Sequence, residues 1–150
     1  MPRAPFNVLV IPFRLRDDKP EYAVFHRRPP SKMWQFIAGG GEDDETPEMA
    51  ARREANEEAG IIEESGWIRL DSVASIPRSA FGAAHWPKSI YVIPEYCFAV
   101  ETKKSELTIS QEHDGWGWCR FEQALEILTW DSNKVALWEL HERLGRKTGN

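Results

Sequence analysis

Residues 39–61 read GGGEDDETPEMAARREANEEAGI, a stretch that gathers eight carboxylates and only two cations, Arg52 and Arg53. In its middle, Thr46-Pro47-Glu48 has the chemistry of a helix start. A threonine hydroxyl can accept from a free first-turn amide, and proline has its φ preset for the first helical position. Gly60 is the natural stop, because only glycine enters the left-handed conformation without penalty. The spacing therefore predicts a helix over 47–59. At 3.6 residues per turn, Glu54, Glu57 and Glu58 fall within an arc of roughly 100°. Ala51, Ala55 and Ala59 recur every four residues on the adjacent stripe, small enough to let the helix backbone close on a sheet. One side packs while the other presents oxygen.

A Glu-rich helix is ordinarily a solvated face. Such faces mix signs at i,i+4, whereas Glu54 and Glu58 are a like-charge pair whose repulsion costs a few tenths of a kcal/mol, by about as much as an opposite pair would stabilise. Glu57 and Glu58 also lie in the last turn, where the helix dipole disfavours anions. A bound divalent cation removes both penalties. Clustered carboxylates are the hard-oxygen ligands that Mg²⁺ or Mn²⁺ prefers, with waters and substrate phosphates completing the shell.

The remainder of the 150-residue chain sets the frame. Its length fits one domain, 1–150, with a real core. A net charge of −5 and a pI near 5.4 argue against nucleic-acid or acidic-membrane partners held by bulk attraction. Cys97 and Cys119 are too few for a disulfide framework, and no CxxC or Cys/His cluster offers a soft-metal site. The apolar run FNVLVIPF, residues 6–13, is too short to span a membrane and lacks the marks of a secretory signal. A cytoplasmic protein is the default expectation.

FNVLVIPFRLR and EYAVFHRR read as paired strands around the turn DDKP, followed by WQFIA. WIRLDSVASIPR, SIYVIPEYCFAVE and HDGWGWCR read as further strands, with SAFGAAHWPK a long loop between the first two. FEQALEIL and SNKVALWELHERL read as helices, the second capped by Ser132 or Asn133, and GRKTGN as a frayed end. The expectation is an α/β (α+β) domain, a mixed sheet with helices on both faces.

Gly39, Glu45, the run Arg53-Glu54-Ala55-Asn56-Glu57-Glu58-Ala59-Gly60 and Ile61 resemble, in identity and spacing, the Nudix box of the Nudix hydrolases over residues 39–61. The strand order is likewise similar to that family's α/β/α sandwich. The resemblance implies hydrolysis of a nucleoside diphosphate linked to another group, with water attacking phosphorus in the presence of Mg²⁺ or Mn²⁺. It implies that Glu54, Glu57 and Glu58 hold metal with the Ala38 carbonyl, that Arg53 and Glu45 brace the loop, and that Gly39 and Gly60 shape it. SQEHDGWGW resembles a later family segment and makes Glu112 a metal ligand or general base. Glu54, Glu57 and Glu112 all stand as candidate bases.

Arg27-Arg28 before Trp34-Gln35, and the ending LTWDSNKVALWEL, are similar to the subgroup of dihydroneopterin triphosphate pyrophosphatases and dATP pyrophosphohydrolases. In that pattern Arg3 and Arg27 are substrate contacts. Only one of two successive strand arginines can face the site. Ala38 stands where the subgroup carries Thr or Ser, and the loop 79–91 lacks its arginines. There His85, Trp86, Lys88 and Tyr91 could stack on a base or reach a phosphate, or simply pack. His26, His113 and His141 read as ordinary polar residues. The expected reaction is pyrophosphate release from a nucleoside or pterin triphosphate by a protein binding a nucleotide-like small molecule, with a homodimer compatible with its aromatic content. The alternatives are hydrolysis of a nucleotide sugar, ADP-ribose or dinucleoside polyphosphate, and a binding module without catalysis.

Overall fold

The computed structural model describes residues 3–82 and 85–149; Ala83 and Ala84 of the long loop, and Asn150, lie outside them. β1 (Arg3–Arg16) turns into β2 (Lys19–Arg27) through Asp17 and Asp18, both at positive φ, 54° and 63°. Two left-handed residues form the turn whose twist matches that of a hairpin, and aspartate tolerates the conformation. β3 (Trp34–Gln35) and β4 (Ile37–Glu42) follow, then α1 (Pro47–Ala59), β5 (Trp67–Pro77), β6 (Val92–Glu101), β7 (His113–Cys119), α2 (Phe121–Ile127) and α3 (Asp131–Gly149).

The seven strands make one mixed sheet with the path β3-β2-β1-β6-β5, β4 added to β1 and β7 to β2. β1 is its spine. Its early residues pair antiparallel with β4 and its last four with β2, while Asn7 to Phe13 run parallel to β6 on the other edge. Alternation along β1 then decides the layers. Val8 and Val10 join Ala23, Phe25 and Ile37 beneath the alanines of α1. Leu9, Ile11 and Phe13 join Tyr22 and Val24 against Ala124 of α2 and Leu137 and Leu140 of α3. Both faces are therefore covered, as expected for an α/β/α sandwich. Each fully buried Val, Leu or Ile contributes about 1.5–3 kcal/mol.

β5 is interrupted: its register on β6 slips between Arg69 and Val73. The amides of Asp71 and Ser72 donate instead to Glu139 of α3, at 2.7 and 2.8 Å, and the Ser72 hydroxyl donates to the same carboxylate at 2.6 Å.

Several boundaries differ from the sequence expectation. β6 starts at Val92 because Ser89 and Ile90 are taken up in a turn closed by Ile90 N–H donating to the Pro87 carbonyl. Arg78 leaves β5 for a short 3-10 turn, Arg78–Ala80. α3 starts at Asp131, with the amides of Asn133 and Lys134 on the Trp130 carbonyl, so neither Ser132 nor Asn133 is its cap. Asn133 is drawn inward because its Oδ1 accepts the Phe36 amide at 2.9 Å. The end of the chain continues α3 to Gly149 rather than fraying, as no proline or left-handed residue interrupts it. Among the described residues, no helix is long and apolar enough to cross a membrane.

Candidate active site

α1 is fixed at both ends by its own sequence. Thr46 Oγ1 accepts the Met49 amide at 3.2 Å, and Gly60, at φ 67°, turns its N–H back onto the final carbonyls. Ala50, Ala51, Ala55 and Ala59 are wholly buried, so the helix lies close on the sheet. That approach divides the three glutamates. Glu54 and Glu58 are carried inward, to 9% and 1% exposure, whereas the Glu57 side chain stays 56% exposed.

The inward turn of Glu54 depends on a missing side chain. A Cβ on Gly39 would lie 2.2 Å from the Glu54 Cδ. No other residue leaves room for the carboxyl against β4. Ala38 precedes this glycine in β4, opposite Leu9 of β1.

Glu58 is the most unusual group of the site. Both its carboxyl oxygens are buried and neither has a hydrogen-bond donor. Its nearest basic atom is His113 Nε2, 3.6 Å from Oε1. Burial, then the neighbouring Glu54 carboxyl, push its pKa up to about 10; Glu112 adds to the rise and Arg27 opposes it. An isolated carboxylate in such surroundings is costly unless a cation or donors meet it.

Arg53 holds the surrounding carboxylates. It donates from Nε and Nη2 to the two oxygens of Glu45 (2.8 and 3.0 Å), and from Nη2 to the Gly40 carbonyl (2.8 Å). Nη1 donates to Glu54 (2.9 Å) and to Glu57 (3.1 Å). Glu45 in turn accepts the Glu42 amide at 2.9 Å. The hydrogen bonds that Arg53 donates hold the Glu45 carboxyl below its usual range, and the same bonds to Glu45 chiefly raise the Arg53 pKa. One guanidinium thus ties β4, the loop and the helix together.

Arg27 and Arg28 diverge. Arg28 is spent on the loop before β7, with Nε donating to the Gln111 carbonyl at 2.6 Å. Arg27 shares the Phe25 side of β2, and its charge is felt at both Glu58 and His113. Glu112 is exposed at the mouth of the same side, its amide on Ser110 Oγ and its carbonyl accepting from Arg28 N–H. Among the described residues, no three His, Cys, Asp or Glu side chains converge as a ready metal cage. The all-oxygen set nevertheless fits Mg²⁺ or Mn²⁺, because Glu58 leaves two buried oxygens without a partner beside Glu54.

His113 belongs here although sequence reasoning treated it as an ordinary polar residue. It is fully buried, 5.3 Å from the Phe25 ring, with neither ring nitrogen bonded. Burial, then Arg27, push its pKa down to about 4, so it is neutral behind Glu58. No spacing marked it, because His113 is the first residue of β7 and Glu112 before it lies in a turn.

The other expected substrate residues gather at the far side of β4. The Arg3 guanidinium lies over Gly40, where a Cβ would come within 2.3 Å of Cζ, and stands 4.3 Å above the Phe81 ring. Its Nη2 donates to Asn7 Oδ1 at 2.9 Å while Nε is buried without a partner. Burial lowers its pKa and the Glu54 charge opposes this. Trp86 is buried, with Nε1 donating to the Arg3 carbonyl at 2.7 Å, and His85 Nε2 lies 3.2 Å from the same oxygen. Both therefore fasten the Arg3 backbone. Lys88 and Tyr91 are exposed.

Beside Arg3, on the sheet face opposite α1, a cavity of ≈ 370 Å³ is lined by Asn7, Gln35, Ile76, Phe81, Glu95 and Trp130, among others. Asn7 and Glu95 are buried polar residues that no local motif announced, and buried Gln35 is the second residue of the Trp34-Gln35 pair.

The NUDIX domain family profile matches residues 5–138. The chain belongs to the NUDIX family. A Listeria monocytogenes protein named as a NUDIX hydrolase is similar over 96% of this chain and 97% of its own, at 44% identity and TM-score 0.84. The RNA pyrophosphohydrolase of Caulobacter vibrioides is 32% identical over 111 residues, 69% of this chain and 64% of the relative, so the chain spans less than two thirds of that relative's length. The E. coli dihydroneopterin triphosphate pyrophosphohydrolase shares the NUDIX fold at TM-score 0.76 and 21% identity, covering 95% of this chain and 99% of its own.

Proposed function

We propose that the protein is a divalent-metal-dependent pyrophosphohydrolase that cleaves a nucleoside triphosphate, or a related pterin triphosphate, to a monophosphate and pyrophosphate. The observation that carries this reading is Glu58: a carboxyl with two unpartnered buried oxygens, adjoining Glu54 and within reach of the Glu112 and Arg27 charges. In this reading Glu54 and Glu58 hold the cation, with Glu57, Glu112 and the Ala38 carbonyl as further oxygen donors. A bound Mg²⁺ or Mn²⁺ supplies neutralisation of phosphate charge and a lowered pKa for bound water.

The chain's own groups supply the remainder. Arg27 orients a phosphate on the α1 side of the sheet. Arg53 keeps Glu54 and Glu57 directed toward one place. Glu112 accepts the proton of the attacking water, with Glu54 and Glu57 as the alternatives. Arg3, which reaches both Glu54's field and Asn7, orients the substrate between the two faces of β4.

The test is the rate and identity of product formation by the native protein, with Glu58→Gln beside it as the variant expected to lose turnover, across a panel of nucleoside triphosphates, nucleotide sugars, ADP-ribose, dinucleoside polyphosphates and 5′-triphosphorylated RNA. Free pyrophosphate from triphosphates supports the reading; two monophosphates from a diphosphate linkage replaces it. Nucleotide binding in Mg²⁺ with no product from any member sinks the enzymatic reading. The Caulobacter relative's name favours RNA as the second substrate class, against which stands the net charge of −5.

A further inference from the structure

The cavity on the face opposite α1 holds buried polar groups that hydrolysis does not need. Asn7 of β1 and Glu95 of β6 are direct partners in the parallel ladder, and Asn7 Nδ2 donates to Glu95 Oε2 at 2.5 Å. Since Asn7 Oδ1 accepts from Arg3, the amide is locked: flipping it would lose both bonds. Glu95 is only 4% exposed, and its Oε1 has no donor among the described residues. Gln35, at 7% exposure, has no side-chain hydrogen bond among them either. Phe81, Ile76 and Trp130 wall the same space. An apolar slot with a few convergent polar groups is the usual form of a ring-binding site, and polar side-chain atoms without a protein partner are the part of it that a ligand completes.

We propose that this cavity receives the ring of the substrate and selects a 2-amino-4-oxopyrimidine edge, the edge that guanine and pterins share. The inference rests on reading the chain as a triphosphate pyrophosphohydrolase. Glu95 presents Oε1 and the remaining lone pair of Oε2, so it accepts from two adjacent donors, a ring N–H and an exocyclic amino group. Gln35 supplies an amide donor for the ring oxygen next to them. Adenine and cytosine set a ring-nitrogen lone pair beside their amino group, and uracil and thymine flank their single N–H with carbonyls. Each of these turns at least one lone pair toward the carboxylate. A site built on hydrogen bonds rejects a ring that leaves its buried groups unpaired far more strongly than an apolar slot rejects a change of size. Arg3, bonded to Asn7 and stacked on Phe81, stands where the chain from ring to phosphates would pass toward Glu54.

The experiment measures kcat/KM with Mg²⁺ for dGTP, dATP, dCTP, dTTP and dihydroneopterin triphosphate, in the native protein, Glu95→Gln and Gln35→Leu. The native protein should favour dGTP or the pterin triphosphate over dATP by on the order of 10²-fold, and the larger of the two values identifies the source of the ring. Glu95→Gln, which replaces an acceptor by a donor, should collapse the guanine-to-adenine ratio toward one, and Gln35→Leu should reduce it about tenfold. Equal use of dATP and dGTP by the native protein, or an equal loss on every ring in Glu95→Gln, overturns the proposal. Binding of GMP and AMP in EDTA separates the two readings. GMP preference that Glu95→Gln abolishes, with no triphosphate hydrolysed, keeps the ring pocket and removes the pyrophosphohydrolase; hydrolysis without ring preference does the reverse.

Discussion

The two faces of the sheet next to β4 are built from chain in opposite ways. On the α1 face, the cap, the packing stripe and the carboxylates Glu54, Glu57 and Glu58 come from one run of residues, 39–61, so each constrains the others through helix geometry. On the opposite face the cavity joins residues 88 positions apart, Asn7 and Glu95, which meet only because β1 and β6 are parallel and in that register. In the proposed reading the metal-binding carboxylates come mainly from a local segment, joined by Glu112 and Arg27 from elsewhere, and selectivity from long-range assembly. The first can be lost by one substitution in the helix; the second can change ligand while the helix stays intact.

Glu58→Gln is the sharpest way to separate chemistry from fold. Activity should fall by on the order of 10³-fold, the several kcal/mol that a metal site supplies, while stability rises. The sign follows from linkage: a carboxyl raised from 4.5 to about 10 contributes stability that is whole below its unfolded pKa and is lost as pH rises toward its folded one. Metal-free native protein should therefore melt progressively lower from about pH 5 upward, and Glu58→Gln should show a flatter profile. A steeper one contradicts the placement of Glu58.

Gly39→Ala should act almost as strongly by a different route. Its Cβ displaces the Glu54 carboxyl, so turnover should drop by about 10²-fold with a melting temperature near native. Full activity would show that Glu54 is not needed where it stands. Arg27→Ala should raise KM about tenfold by removing a charge-assisted phosphate contact, with kcat less affected. A change confined to stability would instead make Arg27 structural.

Arg53→Ala should have the smallest direct effect on chemistry and the clearest effect on the fold near β4. Losing the Glu45, Gly40 and Glu54 bonds should cost about 1–3 kcal/mol in denaturant melts. Because Glu45 is held below its ordinary pKa, that stability is present above the ordinary carboxylate range and disappears as pH falls through the folded value. The native and variant proteins should thus converge in acid.

What was readable in the sequence follows the same division. Thr46, Pro47 and Gly60 gave away α1 because capping is local, and the DDKP hairpin was readable for the same reason. The layered mixed sheet was readable from alternating strands around one long helix. The inward and outward partition of Glu54, Glu58 and Glu57 was not, since a common arc on a helical wheel does not say how deeply the sheet will take each residue. His113 was passed over because a lone histidine in a strand has no spacing to mark it. The start of α3 was misplaced because Asn133 serves the Phe36 amide rather than its own helix. Asn7 and Glu95 were invisible for want of any rule that pairs residues across a parallel ladder before its register is known, and Gln35, though part of the Trp34-Gln35 pattern, carried no sign of the cavity it lines.

The slip in β5 has a consequence for the cavity. The strand residues that follow it, Ala74 to Pro77, form one wall of that space, and the break is bridged by a single carboxylate, Glu139, from the last helix. The position of the wall is thereby mechanically linked to the seating of α3, whose first turn lines the same cavity through Ser132 and Asn133. Faster amide exchange at Asp71 and Ser72 in Glu139→Gln, together with weaker ring binding, would register that linkage; unchanged ring binding would show that the wall holds without it.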